Sequence, residues 1–418
     1  MTDTNVRLPN PERGRAASEE FVAHHLSGLF EGEPVGSERF RGGQSSADAA
    51  LEAFDVARYA NRRNEVLPTD RRGASALSPY IRHGLLQLPQ VWSHVAGGPE
   101  YDVRKFRDEL MWQEFARHWY ARLGDRTASG IRRDQVAPTE PDRSTAGTGI
   151  EGWDRSMRCL DENVTELERD GWLVNQTRMW LSSEWAVRHG QRWQAGEDVF
   201  FRHLLDGSRA ANRLGWQWTT GVGSAKHYGF SRWQVEKRAK GLCSGCDHRD
   251  DCPIGDWPQD PMFVSVERPD AVRRGDEDSL NGPQVVERSG EPEAVWLTAE
   301  SLGVDDPALV ANPGLAAIFV FDRGLLAKLK LSAKRLVFLC ETLAELAAER
   351  EVHLWLGAPG EVLANQRSAV THAPVPGFAR VHALVKPVEV HPWPWLCAPA
   401  VGSVASFSAW RKSVGRPM

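Results

Sequence analysis

Apolar residues recur at three-to-four spacing through Ala49–Tyr59, Phe106–Leu123, Ser156–Asp170 and Trp172–His189, which predicts an all-helical region from about Ala47 to Gly255. The stretch from Trp257 to Glu293 is rich in Pro, Gly, Asp, Glu and Arg with little periodicity, and reads as a linker or long surface loop. Beyond it the texture changes. Ala294–Leu297, Ala316–Phe321 and Val352–Leu356 are apolar runs of strand length, and an amphipathic helix, Ser332–Arg350, lies between the last two. Strand, strand, helix, strand predicts an α/β layer with parallel pairing. No Gly-x-Gly-x-x-Gly follows any of these strands, so a dinucleotide fingerprint is absent. The first 40 residues carry one short apolar stretch at Phe21–Phe30 and are expected to form a loosely held arm. The tail from His391 onward, with Pro392 and Pro394, is expected to be irregular. The expected organisation is α plus α/β and multidomain: an arm (1–40), a helical domain (41–257), a linker (258–293) and a smaller Rossmann-like α/β domain (294–418).

A chain of 418 residues with 41% hydrophobic and 26% charged positions can bury more than one core and excludes a single small module. No apolar run is long enough to span a bilayer, so no membrane association is expected. With 51 basic and 56 acidic side chains the net charge is −5, which argues against non-specific polyanion binding and leaves room for a local basic groove. The first ten residues lack the basic-then-apolar pattern of a secretory signal, so a cytoplasmic location with reduced thiols is expected. Seventeen Trp beside five Tyr suggests that indole rings are put to use.

Four segments of the helical region carry candidate chemistry. In Gly73–Arg82, Ser75 and Ser78 precede Pro79 at a helix start, where hydroxyls and free backbone N–H groups suit an anion; a capped helix start is the plain alternative. In Phe106–Trp119, Glu109 shares a helix face with Trp112 and Gln113, a carboxylate beside an indole suited to a flat heterocycle or, equally, a half-buried Trp beside a solvated Glu. In Gly171–Met179, Asn175 and Arg178 lie three apart. In Leu204–Trp218, Asp206 and Asn212 flank a polar break, and Trp216 and Trp218 are expected on opposite sides of an extended backbone. Arg178 and Asp206 form a candidate buried ion pair. Cys243, Cys246 and Cys252 form a C-x₂-C-x₅-C set lacking a fourth ligand, for which Cys159 is the best candidate. Spacing alone also fits zinc with His248, or a disulfide. Cys340 and Cys397 read as buried structural thiols.

Taken together and in this order, Phe40 to Trp218 resembles the flavin-binding domain of the DNA photolyase and cryptochrome family. The resemblance implies FAD, with Tyr59, Ser75, Leu77 and Ser78 on its diphosphate and Gln113 among its contacts. Arg178 and Asp206 would lie against the isoalloxazine, and Asn212 would face N5, where an amide oxygen accepts from the protonated, reduced ring. It likewise implies that Glu109, Trp112, Asn175, Met179 and Trp218 hold a cyclobutane pyrimidine dimer flipped out of damaged DNA. The reaction implied is light-driven electron transfer from reduced flavin that splits the dimer.

The departures from the family pattern matter as well. Val174 replaces the histidine on which enzymes for (6-4) photoproducts depend, and Ser208 replaces a second acid at the flavin edge. Trp216 and Trp193 match two members of the surface-to-flavin tryptophan chain; a third is missing, with Trp153 or Trp180 as substitutes. Cys159, Cys243, Cys246 and Cys252 fall where iron–sulfur bacterial photolyases hold a 4Fe-4S cluster. The region after Asp306 resembles the family's antenna domain placed after rather than before the flavin domain, with no traceable chromophore pocket. The rival expectation is a cryptochrome-like light sensor with a signalling partner, or a divergent flavoenzyme with a small-molecule substrate.

Overall fold

The structure is a computed structural model, and it describes residues 5–136, 152–275 and 280–417. Its α/β layer is a seven-stranded sheet ordered Val6–Leu8, Val352–Gly357, Ala316–Asp322, Ala294–Leu297, Ser368–Thr371, Glu389–His391 and Glu287–Arg288. The five inner strands run parallel and the two edge strands antiparallel. Ala316–Asp322 is apolar at nearly every position because both of its faces are covered, as parallel sheets require. The three strands read from the sequence are present, and the helix between the last two spans Ala333–Glu349.

Three expectations give way. Residues 5–40 are not a loose arm: Val6–Leu8 pairs with Val352–Gly357, and the Arg15–His25 helix packs on Ala333–Glu349. Arg15 anchors it, donating from Nε to Glu341 Oε1 at 2.7 Å and from Nη2 to the Phe40 carbonyl at 2.7 Å. A three-residue edge strand is too short to show a period, and its order comes from backbone pairing with a distant segment. The interval expected as linker, apart from residues 276–279, which lie outside the described residues, contributes two strands. Phe263–Ser265 pairs with Arg133–Gln135, and Glu287–Arg288 forms the far sheet edge. The tail ends in a helix, Phe407–Ser413, capped by Ser406 and pinned by buried Trp410, whose Nε1 donates to His118 Nδ1 at 3.0 Å.

The helical layer is built around Glu100–Leu123, a 24-residue helix with Glu100 and Asp102 in its first turn, where the helix dipole favours them. Asn175–Ser183, Trp193–His203 and Ala211–Thr220 pack against one another beside it. Trp216 and Trp218 therefore sit on a helix rather than on extended backbone. Two residues are about 200° of helical rotation, so they still face opposite ways, with Trp216 buried and Trp218 44% exposed.

The two layers meet at the Leu204–Ser208 loop. Arg335, from the Ala333–Glu349 helix, is buried and donates to the carbonyls of Phe201 and Gly207; Arg82 Nε donates to the same Gly207 oxygen at 3.0 Å. A Cβ on Gly207 would lie 2.6 Å from Phe201 O and 2.9 Å from Leu204 O, backbone atoms that cannot step aside. Gly207→Ala should therefore cost about 1–3 kcal/mol through overpacking. Chemical denaturation checks this: a midpoint matching wild type would contradict the packing described.

Candidate functional site

The loop that joins the layers also places the acid of the central pair. Leu205 N–H donates to Gly171 O at 2.8 Å, bringing Asp206 beside the Asn175–Ser183 helix. Arg178 Nη2 donates to Asp206 Oδ2 at 2.7 Å, and Arg178 Nε to Leu173 O at 2.9 Å. Asp206 Oδ1 is buried and, among the described residues, has no hydrogen-bond partner. A buried carboxylate oxygen left unpaired costs about 1–3 kcal/mol or more, so a donor from water or a bound group would be favourable there.

Ser208 Oγ accepts from Ala211 N–H at 3.1 Å and so caps the Ala211–Thr220 helix on which Asn212 stands. Asn212 is buried; its Nδ2 donates to Glu197 O and Glu197 Oε1, each at 3.2 Å. Glu197 is ion-paired with Arg209 and, at 3.4 Å, with Arg213. Burial pushes its carboxyl upward while the two guanidiniums oppose that shift. Trp216 packs over Gly196, and Trp193 is fully buried one turn earlier on the same helix. A further line of rings leads away from Trp216: Phe200 at 5.2 Å, Trp153 at 5.9 Å from Phe200, then Trp185 at 4.9 Å. Trp180 instead stacks on Phe230 at 5.2 Å.

Ser78 joins the same wall. Its Oγ accepts from Trp172 Nε1 at 3.0 Å, and Arg82 in the same short helix holds Gly207. Leu77 is fully buried, and Ser75 Oγ lies 3.5 Å from Leu77 N across Ala76, which takes a left-handed φ of 56°. Tyr59 is buried against Phe54 and Phe106, its hydroxyl pushed up chiefly by burial. Gln113 is half-buried on the long helix.

Two residues expected to meet a flipped base are already engaged. Glu109 is ion-paired with Arg63, burial raising its carboxyl and Arg63 opposing. The Trp112 ring stacks on Phe407 with centroids 4.1 Å apart and planes 10° apart, so the tail helix covers one of its faces. Asn175 is exposed at its helix start, Met179 half-buried, Trp218 exposed with Tyr228 at 6.2 Å, and Val174 fully buried.

Cys159, Cys243, Cys246 and Cys252, brought from two distant stretches, line one cleft with Met157, Leu242, Ile254 and His248. All four are free thiols, so no disulfide joins them. The Cys159 thiol is pushed up to about 12, mainly by burial and then by the three other cysteines. His248 Nε2 lies 3.0 Å from Ser156 Oγ. Among the described residues, no group of three or more His, Cys, Asp or Glu is set to hold a metal ion. Cys340 and Cys397 are both buried elsewhere.

Residues 106–240 match the family model described as the FAD binding domain of DNA photolyase. Within the helical region, that segment is similar to the flavin-binding domain of this family. The matched segment contains Glu109 through Trp218 and Cys159; Tyr59, Ser75, Leu77, Ser78 and the cysteines at 243, 246 and 252 lie outside it. A deoxyribodipyrimidine photo-lyase of Thermus thermophilus is 34% identical over 190 residues, which cover 43% of this chain and 43% of that protein. A cryptochrome DASH of Gloeobacter violaceus is 27% identical over 226 residues, covering 50% of this chain and 44% of that protein. A solved bacterial class III photolyase from Agrobacterium tumefaciens is 24% identical with a TM-score of 0.40, covering 47% of this chain and 42% of that one. The chain thus spans less than half the length of the curated relatives it matches.

Sequence reasoning missed Glu197, Arg82, Arg335 and Phe407. Glu197 alone left a trace, standing four residues after Trp193 on the buried face of its helix. Within the site, Asp206→Ala should destabilise the fold by about 1–3 kcal/mol, because the part-buried Arg178 loses its counter-charge and keeps only the Leu173 carbonyl. Asp206→Asn, which keeps an acceptor, should cost less. Urea unfolding of the two variants decides: equal stability for Asp206→Ala and wild type would show that the pair is not buried as described.

Proposed function

We propose that this chain is a light-driven DNA-repair flavoprotein, a lyase that splits cyclobutane pyrimidine dimers in damaged DNA with reduced FAD. The observation that carries it is the unpartnered Asp206 Oδ1, buried beside Arg178 and next to the helix bearing Asn212 in a domain of the photolyase FAD-binding family. These groups suit a flavin ring edge: a carboxylate oxygen lacking a donor, a guanidinium, and an amide oxygen free to accept. Tyr59, Ser75, Leu77, Ser78 and Gln113 would hold the rest of the cofactor, with Ser208 acting through its helix cap rather than as a second acid. When bound, FAD supplies the light absorption and electron transfer. Asn175, Met179, Trp112 and Trp218 would then wall the dimer, and Glu109 would offer its carboxyl to it.

The convergence of four cysteines in one cleft supports a 4Fe-4S cluster as a second cofactor. The C-terminal layer is read as an antenna-like cover, without a chromophore assigned. No helix among the described residues is long and apolar enough to cross a membrane, and a cytoplasmic location is part of this reading. One observation favours the sensor or non-repair reading instead: Phe407 covers Trp112 and Arg63 holds Glu109.

The test is blue-light incubation of the FAD-loaded, reduced chain with a dimer-containing oligonucleotide. Repair is expected, in a preparation that also contains about four irons per chain. Equal binding of damaged and undamaged DNA with no repair would replace this reading by the sensor or flavoenzyme alternative, and stoichiometric zinc without iron would remove the cluster.

A further inference from the structure

Trp410 offers its indole N–H to a base. Its Nε1 donates to His118 Nδ1 at 3.0 Å, and both side chains are buried. Trp153, Trp172 and Trp185 give theirs to the Leu181 carbonyl, the Ser78 hydroxyl and the Arg192 carbonyl, none of which takes up a proton. Because Nδ1 accepts, the His118 proton sits on Nε2, which faces Cys397 O at 3.1 Å and Glu114 Oε1 at 3.4 Å. Glu114 is fully buried; its Oε1 accepts from Cys397 N–H at 2.9 Å, and its Oε2 has no hydrogen-bond partner among the described residues. Indole, imidazole and carboxylate thus follow one another, and the carboxylate is placed to steady a second proton on the imidazole, the same division of labour as in a catalytic triad. Rings also connect Trp410 to the candidate site. Phe407 stacks on Trp112 and lies 5.8 Å from Trp410, while Phe115 lies 5.8 Å from Trp112 and 5.5 Å from Trp410.

We propose that Trp410 is a redox-active residue that donates one electron toward the flavin site and releases its indole proton to His118 as the electron leaves. The proposal rests on the FAD reading above, in which photoexcited oxidised flavin is the one-electron oxidant and Trp112 the ring it oxidises. The Trp112 indole radical cation takes one electron from Trp410 by way of Phe407 and Phe115 and returns to neutral Trp112. At Trp410 the Nε1–H bond breaks, the proton bonds to His118 Nδ1, and a neutral indole radical remains beside an imidazolium whose Nε2–H meets Glu114. Trp112 and Trp410 are the same chemical group, so electron exchange alone favours neither; loss of the proton to a buried base is what fixes the hole on Trp410. The electron stays with the flavin for as long as that hole is trapped.

The test oxidises the flavin-free full chain with a photogenerated ruthenium(III) polypyridyl complex and follows indole radicals by time-resolved absorption, which tells the radical cation from the neutral radical. Wild type should show a fast phase of neutral-radical formation that Trp410→Phe lacks; the exposed Trp218, Trp233 and Trp257 release their protons to water in a separate, slower phase. In His118→Gln, which keeps a hydrogen-bond acceptor and loses the base, the fast phase should slow about 100-fold or more. In wild type it should also slow in D₂O after full exchange, a reading that needs no variant and stands where neither substitution folds. An unchanged fast phase in Trp410→Phe, or equal rates in H₂O and D₂O, would overturn the proposal. Blue light on the FAD-loaded chain should yield the same radical by electron paramagnetic resonance. Its absence there, with the ruthenium oxidant still producing it, would overturn the donor role through the flavin reading alone, a result distinct from the first.

Discussion

Three guanidiniums from three separate elements converge on the five residues from Leu204 to Ser208. Arg178 pairs with Asp206, Arg82 and Arg335 share the Gly207 carbonyl, and Arg335 also takes the carbonyl of Phe201. Burial, with Arg82 nearby, pulls the Arg335 guanidinium down to about 9, so its charge is tolerated only because backbone oxygens surround it. A side chain at Gly207 would press on the Phe201 and Leu204 carbonyls and crowd Arg335, so the loop admits one only with strain. Every other feature of the candidate site is measured from this fixed loop: Asp206 on it, Ser208 capping from it, and Asn212 one turn further on.

The same contacts explain why the α/β layer belongs to the site's architecture. Arg335 comes from the helix that covers the parallel sheet, and Arg15 and Glu341 tie the N-terminal segment to that helix as well. The helix that covers the sheet therefore holds the loop, while Trp410 and Phe407 pack on the long helix. The buried Asp206 oxygen has no donor among the described residues, a local cost that a donor supplied from outside the chain would relieve.

Elements whose order comes from their own periodicity were readable in the sequence. The inner strands at 294, 316 and 352 and the helix beyond Ser332 were found within a residue or two, because long apolar runs and a 3.6 period are local signals. Val6–Leu8, Phe263–Ser265 and Glu287–Arg288 were not, since two or three residues become strands only when a remote partner supplies the other half of the ladder. At the site, the Arg178 and Asp206 pairing was legible from charge and order of motifs, and the four cysteines do share one cleft. The partners of Glu109 and Trp112 were hidden: Arg63 lies 46 positions from Glu109, and Phe407 stands in a tail whose prolines concealed the short helix after it.

The central claim is that the fixed Leu204–Ser208 loop and the helix start after it seat a flavin ring. Hydrogen–deuterium exchange of the full chain with and without FAD tests it most directly. FAD should protect the backbone of residues 204–216 and 75–80, while the inner strands at 294–297 and 316–322 exchange as before. Unchanged exchange at 204–216 in a chain shown to have bound FAD would contradict the account.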